Sequence, residues 1–354
     1  MPKVLFVEAI LSGHHLSYLL SLIDIEQDSA VCLPNHCDNI LTNQYIIKSN
    51  ICNILLYYKW IKSIKEIIKQ YNPEIIHFLY GDALYRYFGL FLSFKQKVIV
   101  TCHQIRYGII RKIALKKFAS KVDKIVVHTF QNKKELQKIG INNVLQIEYP
   151  NFNKLPECKY AKEKIGIPNK YPVILCLGGT RYDKGLDILL EALKSCIKPF
   201  YLIIAGNEEY FKRDFIERKI VKFKNNVKLV LKFLDDNEFS MYLNASNIIC
   251  LPYRKIFNGA SGPLGEGVRL NKMIIGPNHG SLGQIIKYYH LGMTFEAENS
   301  NSLCHTLDKA LSFDWKPDNM YYEYKKILSP EDLKMIIKNY IIPLSIKKVY
   351  DKNL

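Results

Sequence analysis

The rhythm of the chain constrains its fold more than any single motif does. Short β-branched runs alternate with amphipathic stretches of helical length, the pattern of parallel strands joined by crossover helices. In the first half the strand candidates cover residues 3–9, 29–34, 74–80, 97–103, 124–129 and 143–149. A polar, proline-punctuated stretch over 150–172 interrupts the alternation, which restarts at 173–179, 200–206, 227–233, 247–253 and 272–277. The expected architecture is α/β with two Rossmann-like domains, 1–150 and 173–330, joined by a linker over 151–172 and facing across a ligand-binding cleft. Residues 331–354 read as a helix stopped near Pro343 and then a second, crossing back onto the first domain.

Composition narrows the class further. With 48% apolar and 23% charged residues among 354, the chain has enough apolar material for two cores and is neither disordered, collagenous nor coiled-coil. No run of 18 apolar residues is available to cross a bilayer. Glu8 interrupts the apolar N-terminal stretch, which reads as a first strand rather than a signal peptide. Nine cysteines, an odd number with no C-x-x-C, suit a reduced, cytoplasmic setting.

The charge is unusual: 50 Lys+Arg against 33 Asp+Glu give +17 at pH 7, which favours an anionic partner. Only eight of the 50 are Arg, and the chain is rich in Ile and Asn, so AT-rich codon usage accounts for part of the excess. Two segments concentrate it, 104–124 and 57–71. In the first, Ile109, Ile110, Ile113, Ala114 and Leu115 are interleaved with Arg106, Arg111, Lys112, Lys116 and Lys117, predicting a helix that buries one side and presents a basic face. The second contains Trp60, a residue that favours interfaces. Both are candidate contacts with an anionic membrane surface.

Two constellations carry chemistry. In GGTRYDKGLDILLEAL, residues 178–193, a buried strand ends in two glycines, a short loop offers Arg181 and Lys184, and a helix follows. Such a turn receives a phosphate, because unpaired amides and the helix dipole face the ligand and the bases add full charges. In FNGASGPLGEGVRL, residues 257–270, a loop of small residues leads into a helix with Pro263 in its first turn. The amides of Gly262 to Gly265 are expected to cradle a diphosphate, with Glu266 in the first turn reaching a ribose diol.

These segments resemble the retaining family-4 glycosyltransferases of the GT-B fold, and the similarity covers nearly the whole chain. The resemblance implies that Arg181 and Lys184 contact the donor diphosphate and that Glu266, as the second Glu of an E-x7-E motif, binds the donor ribose. Ser261, Gly262, Pro263 and Leu264 form the donor loop of this likeness. TCHQ around His103 resembles the strand-end His beside the donor sugar and phosphates, and SGHHLSYLL resembles the loop under the donor, implicating Gly13 and His14 more than His15. The pattern departs at position 258, where Asn258 stands in place of the first Glu. An amide still hydrogen-bonds sugar hydroxyls but supplies no negative charge near an oxocarbenium ion.

The implied protein is a retaining glycosyltransferase, cytoplasmic or peripheral on the inner membrane face, moving a sugar from a nucleotide-diphosphate donor to a glycan or lipid-linked acceptor. Surface polysaccharide or glycolipid is the expected product. His103 and Asn258 are the catalytic candidates. With Arg181, Lys184 and helix amides to neutralise the leaving diphosphate, and no D-x-D, neither metal nor other cofactor is expected. The alternatives are a GT-B nucleotide-sugar epimerase and, on charge alone, a nucleic-acid-binding protein, though no RNP stretch, zinc-finger spacing or basic heptad helix is present.

Overall fold

The computed structural model describes residues 3–11, 14–23, 28–151 and 158–339. The chain divides into two units, Met1–Phe152 with Ser329–Leu354, and Asn153–Leu328. Unit 1 contains β1 (Val4–Val7), β2 (Ser29–Leu33), β3 (Asn43–Ile46), β4 (Ile75–Phe78), β5 (Lys97–Cys102), β6 (Lys124–Val127) and β7 (Val144–Gln146). They form one parallel sheet in the order β3-β2-β1-β4-β5-β6-β7. Unit 2 contains β8 (Val173–Leu177), β9 (Tyr201–Ala205), β10 (Val227–Val230), β11 (Ile248–Cys250), β12 (Met273–Pro277) and β13 (Gly292–Phe295), again parallel, in the order β10-β9-β8-β11-β12-β13.

The strands read as near-continuous apolar runs because both faces of each sheet are covered. Along β1, Leu5 and Val7 join one buried cluster while Val4 and Phe6 join the other. Unit 2 repeats the arrangement, Val173, Leu175 and Leu177 facing one cluster and Ile174 the opposite one. Edge strand β3 has the sequence NQYI and lies at the solvent margin, and nothing in that polar run announces a strand.

The segments flanking unit 2 carry buried residues of their own. Ala161, Ile165 and Ile167 lie within the region expected to be a linker, yet they are buried in the core of unit 2 around the short helix Ala161–Lys164. Residues 330–339 are helical, and Leu333 and Ile337, one turn apart, are buried with Val4, Phe6 and Tyr18 of unit 1. The region around Pro343 lies outside the described residues. None of the nine cysteines is in a disulfide. Among the described residues no helix is long and apolar enough to cross a membrane.

Two expectations about the basic helices need correction. The helix Ile54–Tyr71, capped by Asn53 and closed by a left-handed Asn72, buries Tyr57, Trp60, Ile61, Ile64, Ile68 and Tyr71. Trp60 is therefore a core residue, 4% exposed, and not an interface anchor. In the helix Ile109–Ala119 the buried stripe is Ala114, Leu115, Phe118 and Ala119. Ile109, Ile110 and Ile113 are 84%, 71% and 50% exposed, so they share the solvent side with the bases. The first turn starts beyond the carboxyl end of β5, where no core remains to receive them.

Trp60→Ala is expected to cost about 3–5 kcal/mol of stability through lost burial and the cavity it leaves. Denaturant unfolding measures this, and an unchanged midpoint would return Trp60 to the surface.

Candidate active site

In an open parallel sheet, adjacent loops diverge at the carboxyl edge where the strand order reverses, and that crevice is the usual ligand site. In unit 2 the reversal falls between β8 and β11. The two segments singled out by sequence, beginning at Gly178 and Phe257, lie in or after the loops that follow these two strands.

The first turn depends on backbone conformations that only glycine adopts readily. Gly178 has φ +114° and Gly185 φ +62°, and a Cβ on Gly185 would overlap the Pro252 carbonyl of the second loop. Lys184 arches over Gly178, its Nζ 5.8 Å from the centroid of Tyr253, and it holds no ion pair among the described residues. Arg181 differs, since Asp183 grips it bidentately, Nε–Oδ1 at 2.9 Å and Nη2–Oδ2 at 2.7 Å. The two loops are tied by Arg254, which reaches Asp187 at 2.6 Å, lies over the Tyr182 ring at 4.2 Å and donates its backbone N–H to Asp183 O. Sequence reasoning missed Arg254, whose role is visible only once the loops are adjacent.

The second loop ends at the helix Gly262–Arg269. Ser261 caps it, its Oγ accepting from Leu264 N at 3.3 Å and lying 3.3 Å from Tyr253 Oη. The expected row of free amides is shorter than the sequence implies. Pro263 has no N–H, and Gly265 N donates to Ser261 O. Gly262 N–H and the long Leu264 bond remain for a ligand, aligned with the helix dipole. Glu266 is the fifth residue of this helix, one turn in and not in its first turn. It is 5% exposed, its Oε2 meets Arg269 Nε at 3.1 Å, and burial raises its carboxyl above the usual range. Asn258 is half-buried in the loop between β11 and this helix.

Unit 1 has its own reversal, between β1 and β4. A cavity of about 610 Å³ opens beside it, lined by His15, Asp82, His103, Arg86, Arg106 and Arg111 among others. His103 Nε2 donates to Leu79 O at 2.9 Å, which fixes the tautomer and makes Nδ1 the lone-pair side of the neutral ring. Its ring packs edge-on to His15 and lies 5.1 Å from His128. Asp82 accepts from the backbone N–H of His103 at 2.8 Å and of Gln104 at 2.9 Å, and burial moves its pKa up to about 6 despite those bonds. His15 faces Glu8, Nδ1 to Oε2 at 3.2 Å. His14 opens the helix His14–Ile23, and Gly13 lies outside the described residues. Asp82 and His15 were not singled out by sequence, although the GD pair directly after β4 marks a turn at the right edge.

One group with metal-type donors exists among the described residues, Cys196, Cys304 and Asp308, whose ligand atoms lie within 4.8 Å of one another. It follows the helix that returns from β8, so it sits at the amino edge of the sheet, away from the loops above. Asp308 there already accepts from Ile197 N and Lys198 N at 3.0 Å.

Comparison with known proteins assigns this framework. Residues 159–327 match the family described as Glycosyl transferases group 1. An uncharacterized glycosyltransferase of Methanocaldococcus jannaschii is 22% identical over 193 residues, 54% of this chain, and the chain spans 48% of that curated relative's length. Sucrose-phosphate synthase from Thermosynechococcus elongatus superposes with a TM-score of 0.77 at 14% identity, over 97% of this chain and 99% of its own. Anabaena HepE, solved in complex with UDP, gives 0.76 at 13% identity, over 96% and 100%. The fold is GT-B, with two Rossmann-like units.

The buried Asp82 binds a proton more tightly in the folded state, at about pH 6, than an unfolded aspartate does near pH 3.9. Its contribution to stability is thus present below pH ~4 and lost as pH rises through about 6. Asp82→Asn is expected to gain stability relative to wild type between pH 4 and 7, and a pH-independent difference in unfolding midpoint would contradict this.

Proposed function

We propose that the protein is a retaining glycosyltransferase that takes a sugar from a nucleoside diphosphate sugar without a divalent metal. The observation that carries the reading is Lys184, an ammonium with no carboxylate partner among the described residues, at the strand-order reversal of unit 2 and beside a capped helix N-terminus. Leaving diphosphate gathers negative charge as the glycosyl bond loosens, and Lys184 with the Gly262 and Leu264 amides answers that charge. Arg181 contributes less, because Asp183 already neutralises it. Glu266 is the ribose ligand of this reading: a carboxylate accepts two diol hydroxyls, and Arg269 opposes the pull of burial on it. HepE, the relative solved with UDP, supports a nucleotide donor.

His103 and Asn258 are the polar candidates for sugar hydroxyls. Neither is placed to supply a negative charge to an oxocarbenium ion, which leaves the departing phosphate as the base of a front-face reaction. The acceptor is a glycan or lipid-linked glycan of surface polysaccharide or glycolipid synthesis. What favours a lipid-linked one is the helix Ile109–Ala119, whose exposed Ile109, Ile110 and Ile113 stand among Arg111, Lys112, Lys116 and Lys117. Apolar side chains enter the headgroup region while each base near an anionic leaflet adds roughly 1 kcal/mol.

Lys184→Ala removes one charge-assisted contact and is expected to weaken nucleoside diphosphate binding about tenfold or more in a calorimetric titration, with Glu266→Ala weakening it similarly and the fold retained. Wild-type affinity in the Lys184 variant refutes the assignment. In co-sedimentation, the protein is expected to bind anionic but not zwitterionic vesicles, with binding reduced by salt and by Ile109→Asp with Ile110→Asp. Equal binding by that double variant removes the membrane from the proposal.

A further inference from the structure

The arginines of this chain are few, and their placement is uneven. Five of the eight belong to unit 2, and four of these hold a carboxylate: Arg181 with Asp183, Arg213 with Glu217, Arg254 with Asp187 and Arg269 with Glu266. The other three, Arg86, Arg106 and Arg111, are all the arginines of unit 1, and all three line the 610 Å³ cavity. The ion pairs of unit 1 among the described residues are His15–Glu8, His36–Asp38, Lys97–Asp123 and Lys138–Glu135, none of which involves an arginine. In a unit whose other cationic side chains are lysines, all three arginines line one cavity, and none of them holds a carboxylate among the described residues.

Their origins explain how they meet. Arg86 follows β4 on the short 3-10 helix Tyr85–Tyr87, Arg106 lies in the loop after β5, and Arg111 occupies the first turn of the next helix. Tyr85 braces the group, its hydroxyl accepting from Arg106 N at 3.2 Å. The one acid lining the cavity, Asp82, has its two oxygens turned to the amides of His103 and Gln104. Three arginines therefore line the space, all three solvent-exposed, against one carboxylate already engaged by backbone. Arginine presents a planar fork suited to oxyanions. A carboxylate offers two oxygens and one charge, whereas a phosphate monoester offers three oxygens and nearly two charges, which matches three forks better.

We propose that this cavity is a phosphate-binding acceptor pocket, in which Arg86, Arg106 and Arg111 hold a phosphate ester or diphosphate carried by the acceptor. The proposal rests on the transferase reading for the word acceptor, while the binding chemistry stands on the arginines alone. His15 and His103 line the same cavity, where the sugar attached to that phosphate would lie. The acceptor class is then a phosphorylated sugar, either soluble or linked to a lipid through its phosphate, and not a neutral glycan.

Titration of the full-length protein with a hexose phosphate, the uncharged hexose and UDP tests this, alongside sedimentation with phosphatidylglycerol vesicles. The hexose phosphate is expected to bind with an affinity that falls with salt and exceeds that of the uncharged hexose at least tenfold. Arg106→Gln and Arg111→Gln should each weaken it about tenfold, Arg106→Lys by less, with UDP affinity and thermal midpoint unchanged. Stronger binding to a lipid-linked sugar diphosphate in neutral vesicles than to the soluble phosphate would identify the lipid-borne source. The proposal is overturned if UDP affinity falls in parallel, which gives the pocket to the donor, or if only anionic-vesicle binding falls, which gives it to the membrane surface. Equal binding of charged and uncharged hexose, or of neither, overturns it too. Retained hexose phosphate binding in a wild type that binds no nucleotide would sink the transferase reading and leave the pocket standing.

Discussion

Both sheets are parallel and covered on both faces, and that constraint determines where chemistry can occur. A parallel strand must be followed by a crossover, so every carboxyl end opens into a loop on the same edge, and the strands themselves have no polar surface to offer. The functional side chains are accordingly confined to loops and first helical turns. Lys184 follows β8, Ser261 and Glu266 follow β11, Asp82 follows β4 and His103 follows β5. The order reversals at β8–β11 and β1–β4 separate neighbouring loops enough to leave room for a ligand in each unit.

The electrostatics then divide by unit. In unit 2 most arginines are spent within the protein. Arg254 bridges two loops through Asp187, Arg269 pairs with the buried Glu266, and Arg181 is gripped by Asp183. Lys184 and the exposed Lys255 are the cations of these loops that hold no ion pair among the described residues, and Lys184 is the one that lies over the Gly178 turn. In unit 1 no arginine is internally paired among the described residues. A net charge of +17 is therefore a poor guide by itself: what matters is which bases the fold leaves without a carboxylate.

The alternation of apolar runs made the two sheets legible, because strands buried on both faces leave an unmistakable record. It failed at β3, whose polar NQYI is an edge strand held by β2 on one side only. It failed again at 158–172, where prolines suggested a linker although Ala161, Ile165 and Ile167 are packed into unit 2. The donor-loop residues were legible because glycine, lysine and serine at those spacings serve local backbone geometry. Asp82 and Arg254 were not, since each acts on a segment at least 20 residues away, Asp82 on the amides after β5 and Arg254 on Asp187. Trp60 and Ile109 exchanged roles for a related reason: residue type suggested the environment, but the helix phase and the end of the core decided it.

Glu266 shows how the packing tunes a ligand group. Burial raises the Glu266 carboxyl, at 5% exposure, above the usual range, and a protonated acid would meet a ribose diol with one acceptor oxygen fewer. Arg269, three residues on and therefore on the same helical face, opposes that shift from 3.1 Å. The same arginine carries the penalty if the pair is broken, for removing it leaves a buried charge without compensation. The second Glu of the motif is thus half of a two-residue device, and the glycine that follows it, Gly267, keeps the helix surface low enough for it. A Cβ on Gly267 would collide with Ile249 of β11 and Ile274 of β12, so the helix that presents Glu266 lies directly on the sheet that places it.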